Sequence, residues 1–283
     1  MERLASEGVL FDQCYSSAPW TVPSHVSMLT STHPSDHGVG SSHTRLTSST
    51  TTLASWLRSN GYATLGVVSA INVSSRCGFD KGFDEFDDDF VADSEKGLRR
   101  GRLVTDRALQ LLDTVGDRPF FLFLHYFDAH VPLRPPEPYR SMFLAPDSET
   151  AIEPTHHGLA NYSGTEVDMS TTELTELLGL YDGAIRFIDD EILRVVEHLK
   201  ETGSQEKTVI AIVADHGETY EERGFLGHRY YLWNEVIRVP CVVLGPGLDH
   251  GSRIAEPFRT IDLAPTLLDL AGIRVPVTFA GTS

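Results

Sequence analysis

The stretch Val209-Ile-Ala-Ile-Val-Ala-Asp-His-Gly-Glu218 decides the fold class, because six apolar residues run directly into a carboxylate and an imidazole. Such a short apolar run is typical of a strand buried on both faces of a parallel sheet. Open α/β sheets bind ligands just beyond the carboxyl ends of their strands. There, Asp215 and His216 offer the oxygen and nitrogen donors that divalent cations accept. These residues alone leave two interpretations open: a metal site, or a structural Asp that caps the next turn beside a chance His.

Further apolar runs alternate with helical patterns, which predicts a mostly parallel sheet covered by helices on both faces. Strands are predicted at 63–68, 119–123, 209–214 and 240–244. Helices are predicted at about 51–59, 101–115, 171–201 and 263–272. The stretch between Val131 and Met169 has no periodicity and predicts a long loop of the kind that covers a site.

The composition limits what the chain can bind. Its 283 residues suffice for one large α/β domain, or two at most. The formal net charge of −17 argues against a nucleic-acid or anionic-membrane surface. An acidic chain with only four Lys is typical of a halophilic protein, and an ordinary acidic enzyme is the alternative. Because this charge repels anions, a site for an anionic substrate needs a metal or local cations.

Location is predicted from what the sequence does not contain. There is no run of 18 or more apolar residues, so no membrane-spanning segment is expected. The first residues show no signal-peptide pattern, and a cytoplasmic location is therefore expected.

The segment Ala18-Pro-Trp-Thr-Val-Pro-Ser-His25 places the hydroxyl of Thr21 between two prolines. Pro23 suits the first turn of a helix, whose N–H groups favour an anion. A Thr hydroxyl becomes a nucleophile only when a metal or a base lowers its pKa, and a simple N-cap role for Thr21 is the alternative. Ser24 and His25 do not suggest a Ser–His pair, because adjacent helical residues point in different directions.

Two further loops carry His residues. His125, Asp128 and His130 follow a predicted strand, and His228 lies in the loop beyond the Asp-His pair. A lone His is usually structural. Three His-bearing loops at the ends of predicted strands favour a functional site, on which we expect these side chains to converge.

In this order the motifs resemble the sulfatase-like branch of the alkaline phosphatase superfamily. Residues 21–25 stand where sulfatases carry Cys/Ser-x-Pro-Ser/Ala-Arg, and residues 125–132 match an H-x-x-D-x-H-x-P loop. Residues 215–218 match the DHGE metal motif, 235–240 the E-x-x-R-V-P strand entry, and 262–273 the closing D-x-x-P-T-L-L-D-L-A-G-I segment. The resemblance implies an alkaline-phosphatase-like α/β sandwich with a mostly parallel central sheet and helices on both faces.

The resemblance also implies a role for each site residue. Asp215, His216 and Thr21 would bind a divalent metal, namely Ca, Mn, Mg or Zn. Thr21 would also be the nucleophile that attacks the sulfur or phosphorus of a small anionic ester. His130 and His228 would contact the ester oxygens or protonate the leaving group. His25 stands where sulfatases use Arg to steady the nucleophile.

Two departures from the family pattern change these expectations. Sulfatases proper oxidise a Cys or Ser to formylglycine, and Thr21 cannot give that aldehyde because its Cβ bears a methyl group. Family members with Thr at this place act on phosphate or phosphonate esters or transfer phosphoglycerol, so phosphoryl chemistry is preferred. The family also has a first strand, ending in metal-binding Asp, upstream of residues 2–9, and a smaller C-terminal region. We therefore expect residues 1–283 to form a single, N-terminally truncated sulfatase-like catalytic domain without either part, which would expose apolar faces of the sheet.

Three functional hypotheses follow from the resemblance. The first is a metal-dependent hydrolase of sulfate or phosphate/phosphonate monoesters with a Thr nucleophile. The second is a non-catalytic remnant or binding protein of the same fold. The third is a phosphoglycerol or phosphoethanolamine transferase.

Overall fold

The computed structural model describes residues 2–41, 44–47, 49–90, 98–145, 148, 169–220, 222–228 and 231–283. The predicted loop between Val131 and Met169 lies largely outside these residues. The helices are α1 Glu2–Ser6, α2 Thr21–Thr30, α3 Pro34–His37, α4 Leu53–Ser59, α5 Gly101–Val115, α6 Tyr139–Met142, α7 Thr171–Glu201, α8 Asn234–Ile237 and α9 Leu263–Leu270. Within the described part of the chain, none of these helices has the length and apolar character needed to cross a bilayer.

The strands are short and spread along the whole chain. They are β1 Val9–Phe11, β2 Cys14–Tyr15, β3 Ala63–Val68, β4 Glu85–Asp87, β5 Phe120–His125, β6 Ile210–Val213, β7 Thr219–Tyr220, β8 Leu226–Gly227, β9 Arg238–Val239, β10 Cys241–Leu244, β11 Ser252–Ile254 and β12 Phe258–Arg259. Single 3₁₀ turns occur at Ile71–Val73, Ser75–Cys77, Gln205–Lys207 and Thr260–Asp262.

The longest periodic patterns predicted their elements with the same bounds. The predicted strand at 63–68 is β3, and the predicted helices at 101–115 and 171–201 are α5 and α7. The helix predicted at 51–59 begins two residues later because Thr52 caps it. The Thr52 side chain accepts from the Ser55 N–H at 3.0 Å, and the Ser55 hydroxyl accepts from the Thr52 N–H at 2.9 Å.

The strands form a parallel sheet and a mixed sheet. In the parallel sheet, of order β4-β3-β5, β3 pairs with β5 residue for residue along its whole length. In the mixed sheet, of order β11-β1-β10-β6, β10 runs antiparallel to both of its neighbours. Smaller sheets join β12-β2-β9 and β7-β8. The α/β class is confirmed, and the mixed sheet adds antiparallel pairs to it.

Helices cover both faces of the parallel sheet. Successive strand residues point to opposite faces, and β3 shows this directly. Val67 packs in one apolar cluster with Val104 and Ala108 of α5. Val68 packs in another cluster with Val22 of α2. Helix α2 is buried along all ten of its residues, so its first turn is held rigidly over the sheet.

The strand that precedes Asp215 is an outer strand. The prediction that it is buried on both faces is wrong, because all residues of β6 keep partial exposure. The first five residues of β5 do the same. β6 pairs with β10 and β5 with β3, and neither strand has a second strand partner among the described residues. An outer strand stays accessible along its second edge, which explains the exposure of these apolar runs.

Gly217 fixes the loop that follows β6. Its N–H donates to the Val236 carbonyl at 2.6 Å, and an added Cβ would lie 2.1 Å from the Glu235 carbonyl oxygen. Because that contact is with backbone, relief requires α8 to move. We expect Gly217→Ala to lower the free energy of unfolding in urea by roughly 1–3 kcal/mol.

Gly40→Ala is the matched control, because a Cβ at Gly40 meets nothing within 4 Å. Its effect is expected to stay within about 0.5 kcal/mol. Equal stability of the two variants would contradict the close packing of Gly217.

Candidate functional site

The ends of three elements meet at one place. Thr21 is the first residue of α2, His125 is the last residue of β5, and Asp215 and His216 follow β6. His25, one turn along α2, touches both strand ends. Its ring centroid lies 5.0 Å from that of His125, and its Nδ1 lies 3.3 Å from Asp215 Oδ2.

Thr21 begins α2 but does not cap it. The N-cap residue is Trp20, which has extended backbone dihedrals and makes no side-chain capping bond. The N-cap interpretation of Thr21 is therefore wrong. Pro23 fits the first turn because N–H groups there have no helical partner. The Thr21 hydroxyl instead contacts His216 Nε2 at 3.3 Å.

Three atoms that could each coordinate a metal converge here, and one of them is the hydroxyl oxygen of Thr21. His216 Nε2 lies 3.3 Å from Thr21 Oγ1 and 3.5 Å from Asp215 Oδ2. His216 Nδ1 lies 2.8 Å from the Gly217 carbonyl, which only accepts, so Nδ1 carries the hydrogen. In the neutral ring the Nε2 lone pair then faces the Asp215 carboxylate. A cation placed among these atoms removes the repulsion, and a carboxylate, an imidazole and a hydroxyl are donors that fit a divalent metal.

Asp215 is partly buried, with its side chain 21% exposed, and it is ionised. Burial opposes the charge, but the attraction of the carboxylate to the protonated forms of His216 and His25 outweighs burial and holds the pKa of this carboxyl well below its usual range. A carboxylate must be deprotonated to bind a metal. Asp215 therefore meets that requirement at neutral pH.

His25 supports Asp215 from the helix side. Its Nδ1 lies 2.9 Å from the Thr21 carbonyl, in addition to its contact with the carboxylate. Burial lowers the pKa of His25, and the attraction of Asp215 more than offsets this, so the pKa is raised overall. Ser24, for which the sequence suggested no role, donates to the Asp215 carbonyl at 2.6 Å. Ser24 therefore does not pair with His25, and this agrees with the sequence analysis, which predicted no such pair.

The other predicted residues, His130 and His228, lie beside His216. The His228 ring stacks on His216 at 4.2 Å, and the His130 centroid lies 5.0 Å from that of His228. His228 Nδ1 donates to Glu218 Oε1 at 2.9 Å. Glu218 had no predicted role, although it belongs to the DHGE motif of residues 215–218. Burial lowers the pKa of His130 to about 4, so this ring is neutral at pH 7.

The expectation that His125, Asp128 and His130 converge is right for the two His and wrong for Asp128. His125 contacts His25, and burial lowers its pKa to about 3. Asp128 instead accepts the N–H of Gly101 at 2.9 Å and so serves the first turn of α5. The chain turns between these residues, which directs their side chains to different sides.

The family assignment rests on comparison with known proteins. The family model "Sulfatase" matches residues 1–273. The chain belongs to the sulfatase family. Its structure also resembles that of the phosphonate monoester hydrolase from Silicibacter pomeroyi, with a TM-score of 0.80 and 25% identity. That match covers 100% of this chain and 70% of the other. The alkaline-phosphatase-like fold is thereby confirmed.

Two curated relatives place the chain within the superfamily. It is 28% identical over 326 residues to a sulfatase of Formosa agariphila, covering 96% of this chain and 64% of that protein. It is 33% identical over 205 residues to the multifunctional alkaline phosphatase superfamily protein PehA of Trinickia caryophylli, covering 63% of this chain and 39% of that protein. This sulfatase-family chain thus spans less than two-thirds of the length of either relative.

Asp128 provides a test of the local electrostatics. Burial raises the pKa of Asp128 to about 6. A carboxyl whose pKa is raised in the folded state holds its proton more tightly there than in the unfolded chain. Its contribution to stability is therefore complete below its ordinary pKa near 4 and is lost as the pH rises through about 6. Asp128→Asn keeps an acceptor for Gly101 but never ionises. We expect a gain of up to roughly 3 kcal/mol in the free energy of unfolding at pH 7, shrinking to roughly 1 kcal/mol at pH 4.5.

Asp117→Asn serves as the control, because Asp117 is exposed in the turn after α5. Its stability is expected to stay within about 0.5 kcal/mol of the native protein. A loss of stability in Asp128→Asn at pH 7 would show that the carboxylate of Asp128 is needed in its charged form.

Proposed function

We propose that the chain is the catalytic part of a metal-dependent hydrolase of sulfate or phosphate/phosphonate monoesters, with Thr21 as its nucleophile. The convergence of Thr21 Oγ1, Asp215 Oδ2 and His216 Nε2, at contacts of 3.3 and 3.5 Å, carries this proposal. Membership of the sulfatase family and the similarity to a phosphonate monoester hydrolase support it.

Asp215, His216 and Thr21 would hold the divalent cation, which is Ca, Mn, Mg or Zn. When bound, the cation lowers the pKa of the Thr21 hydroxyl and offsets the negative charge of the ester. His25 and Ser24 keep the Asp215 carboxylate in place through its side chain and its carbonyl group, respectively.

Thr21 carries out the substitution. The Thr21 hydroxyl gives up its proton to water, its oxygen bonds to phosphorus, and the bond from phosphorus to the leaving oxygen breaks, so that the leaving alcohol takes up a proton from water. Water then hydrolyses the resulting ester of Thr21. Burial of Thr21 at the start of α2 keeps the reacting oxygen in a fixed position, which favours attack in line with the leaving group. His130 and His228, beside His216, are assigned to the oxygen atoms of the bound ester or of its leaving group.

We rank phosphate and phosphonate monoesters above sulfate monoesters. The Cβ of Thr21 bears a methyl group, so oxidation cannot convert this residue to the aldehyde that sulfatases proper use. Thr21 therefore has to react through its own hydroxyl, like the nucleophiles of phosphoryl-transfer enzymes that form covalent intermediates.

Thr21→Ala provides the direct test. With an aryl phosphate, an aryl phosphonate and an aryl sulfate as substrates, the full-length protein is assayed in each of the four metals. We expect turnover in Thr21→Ala to fall by at least about 1,000-fold, because the nucleophile is removed. Thr21→Ser keeps a hydroxyl and is expected to retain measurable turnover of the same ester.

Thr30→Ala is the control for effects on α2, because Thr30 lies at the far end of the same helix and its hydroxyl bonds to the Val26 carbonyl and the Thr32 hydroxyl. Full activity in Thr21→Ala would exclude the mechanism. A native protein without activity on all three esters would favour a non-catalytic binding role.

A further inference from the structure

We propose that Tyr231 and Trp233 form a stacking platform that binds a planar aromatic ring in the leaving group of the ester. This inference names the substrate class of the proposed site, and its role in turnover rests on the proposed function. Binding of the ring needs neither the nucleophile nor the metal, so it is measured separately from turnover.

The two rings of the platform lie flat against each other. The centroids of Tyr231 and Trp233 are 4.1 Å apart, and the ring planes differ by only 5°. Phe225 stands nearly perpendicular to both, at 5.4 Å from Tyr231 and 6.2 Å from Trp233. A ring over the outer face of Tyr231 would lie much farther from Trp233 than from Tyr231. The two similar distances therefore place Phe225 beside the stack and leave its outer faces uncovered by that ring.

The outer face of Tyr231 is accessible to a ligand. Trp233 covers the inner face, yet Tyr231 remains 43% exposed. Among the described residues, the aromatic partners of Tyr231 are Phe225 and Trp233. A further planar ring continues such a stack favourably, because offset parallel rings attract each other and both lose apolar contact with water. Ligand sites take much of their apolar contact area from aromatic side chains of this kind.

Trp233 is held in place beneath Tyr231. The Arg223 guanidinium lies over the Trp233 ring, 5.7 Å from its centroid, and binds Glu235 at 3.0 Å. The Trp233 carbonyl accepts the N–H of Val236 at 2.9 Å, which ties the ring to the first turn of α8. A preorganised aromatic platform loses little conformational freedom when a ligand binds.

The platform lies beside the ester site, because both ends of its segment are fixed there. His228 precedes Tyr231 by three residues, so their Cα atoms are at most about 11 Å apart. At the other end, Val236 donates to the Trp233 carbonyl and accepts the N–H of Gly217 at 2.6 Å. Gly217 directly follows the proposed metal-binding pair. This placement suits the second ring of a leaving group rather than the ring that carries the ester oxygen.

The charge and shape of the platform select a neutral planar ring. Its cation, Arg223, is already paired with Glu235. A second anionic group therefore gains little there, in a chain whose net charge of −17 repels anions. A planar ring touches the flat face of Tyr231 over its whole area, whereas a saturated ring touches it through a few hydrogen atoms.

Ligand binding to the full-length Thr21→Ala protein tests the platform without turnover. The protein is titrated calorimetrically with phenyl phosphate, 4-biphenylyl phosphate and 4-cyclohexylphenyl phosphate. The last two have equal numbers of carbon atoms, but only the biphenylyl ester has a planar second ring. We expect it to bind about 10-fold more tightly than the phenyl ester and about 5-fold more tightly than the cyclohexylphenyl ester. Adding Tyr231→Ala is expected to reduce both differences below about 2-fold, and adding Tyr231→Phe to keep them.

Phe143→Ala, added to the same Thr21→Ala protein, is the matched control. Phe143 is 45% exposed, much like Tyr231, but it lies at the end of α6. Both affinity differences are expected to persist in this variant. Equal affinities for the phenyl and biphenylyl esters, or differences that persist after Tyr231→Ala, would overturn the platform. Equal affinities for the biphenylyl and cyclohexylphenyl esters would overturn its preference for a planar ring.

Turnover by the native protein separates this proposal from the proposed function. The kcat/KM values of the three esters are expected to follow the order of their affinities. Tight binding of the biphenylyl ester without turnover of any of the three would contradict the proposed hydrolase and support the platform. Turnover of all three esters with equal kcat/KM and equal affinity would support the hydrolase and overturn the platform.

Discussion

The partly buried negative charge of Asp215 is the constraint on which the site depends. A carboxylate that has lost most of its contact with water needs partners, and the fold supplies them from separate segments: His25 from α2, and His216 from the loop after β6. Satisfying this charge fixes the start of α2 against the end of β6, and that contact places Thr21 beside His216. The same arrangement leaves the lone pairs of the metal-coordinating atoms facing one another. A divalent cation placed between them stabilises this arrangement better than the imidazoles do alone.

The imidazoles around this charge lie in different environments, and each environment gives its ring a different role. His25 is held by Asp215 and the Thr21 carbonyl and stays behind the centre as a positioning residue. Burial keeps His125 and His130 neutral at pH 7. Neutral rings serve as metal ligands or structural partners more readily than as general acids. Proton donation to a leaving group is therefore disfavoured for His130.

The sequence predicts the parts of this fold that local patterns determine. Helices α5 and α7 and strand β3 appear with their predicted bounds because their apolar periodicity is long. The exposure of β6 could not be predicted, because an apolar run does not reveal how many neighbouring strands it has. The direction of Asp128 towards Gly101 depends on how the loop after β5 meets α5. The order of the motifs along the sequence identified the site residues. The contact between Glu218 and His228 depends on the β7–β8 hairpin and could not be predicted from that order.

Locating the metal in a crystal tests the central claim most directly. Crystals of the full-length protein grown with Zn²⁺ would be measured at the zinc absorption edge, where anomalous scattering identifies the ion. We predict an ion within about 2.0–2.2 Å of both Asp215 and His216, in contact with the Thr21 hydroxyl. The absence of an anomalous peak at these residues, with Asp215 still bonded to His25 under saturating zinc, would contradict it.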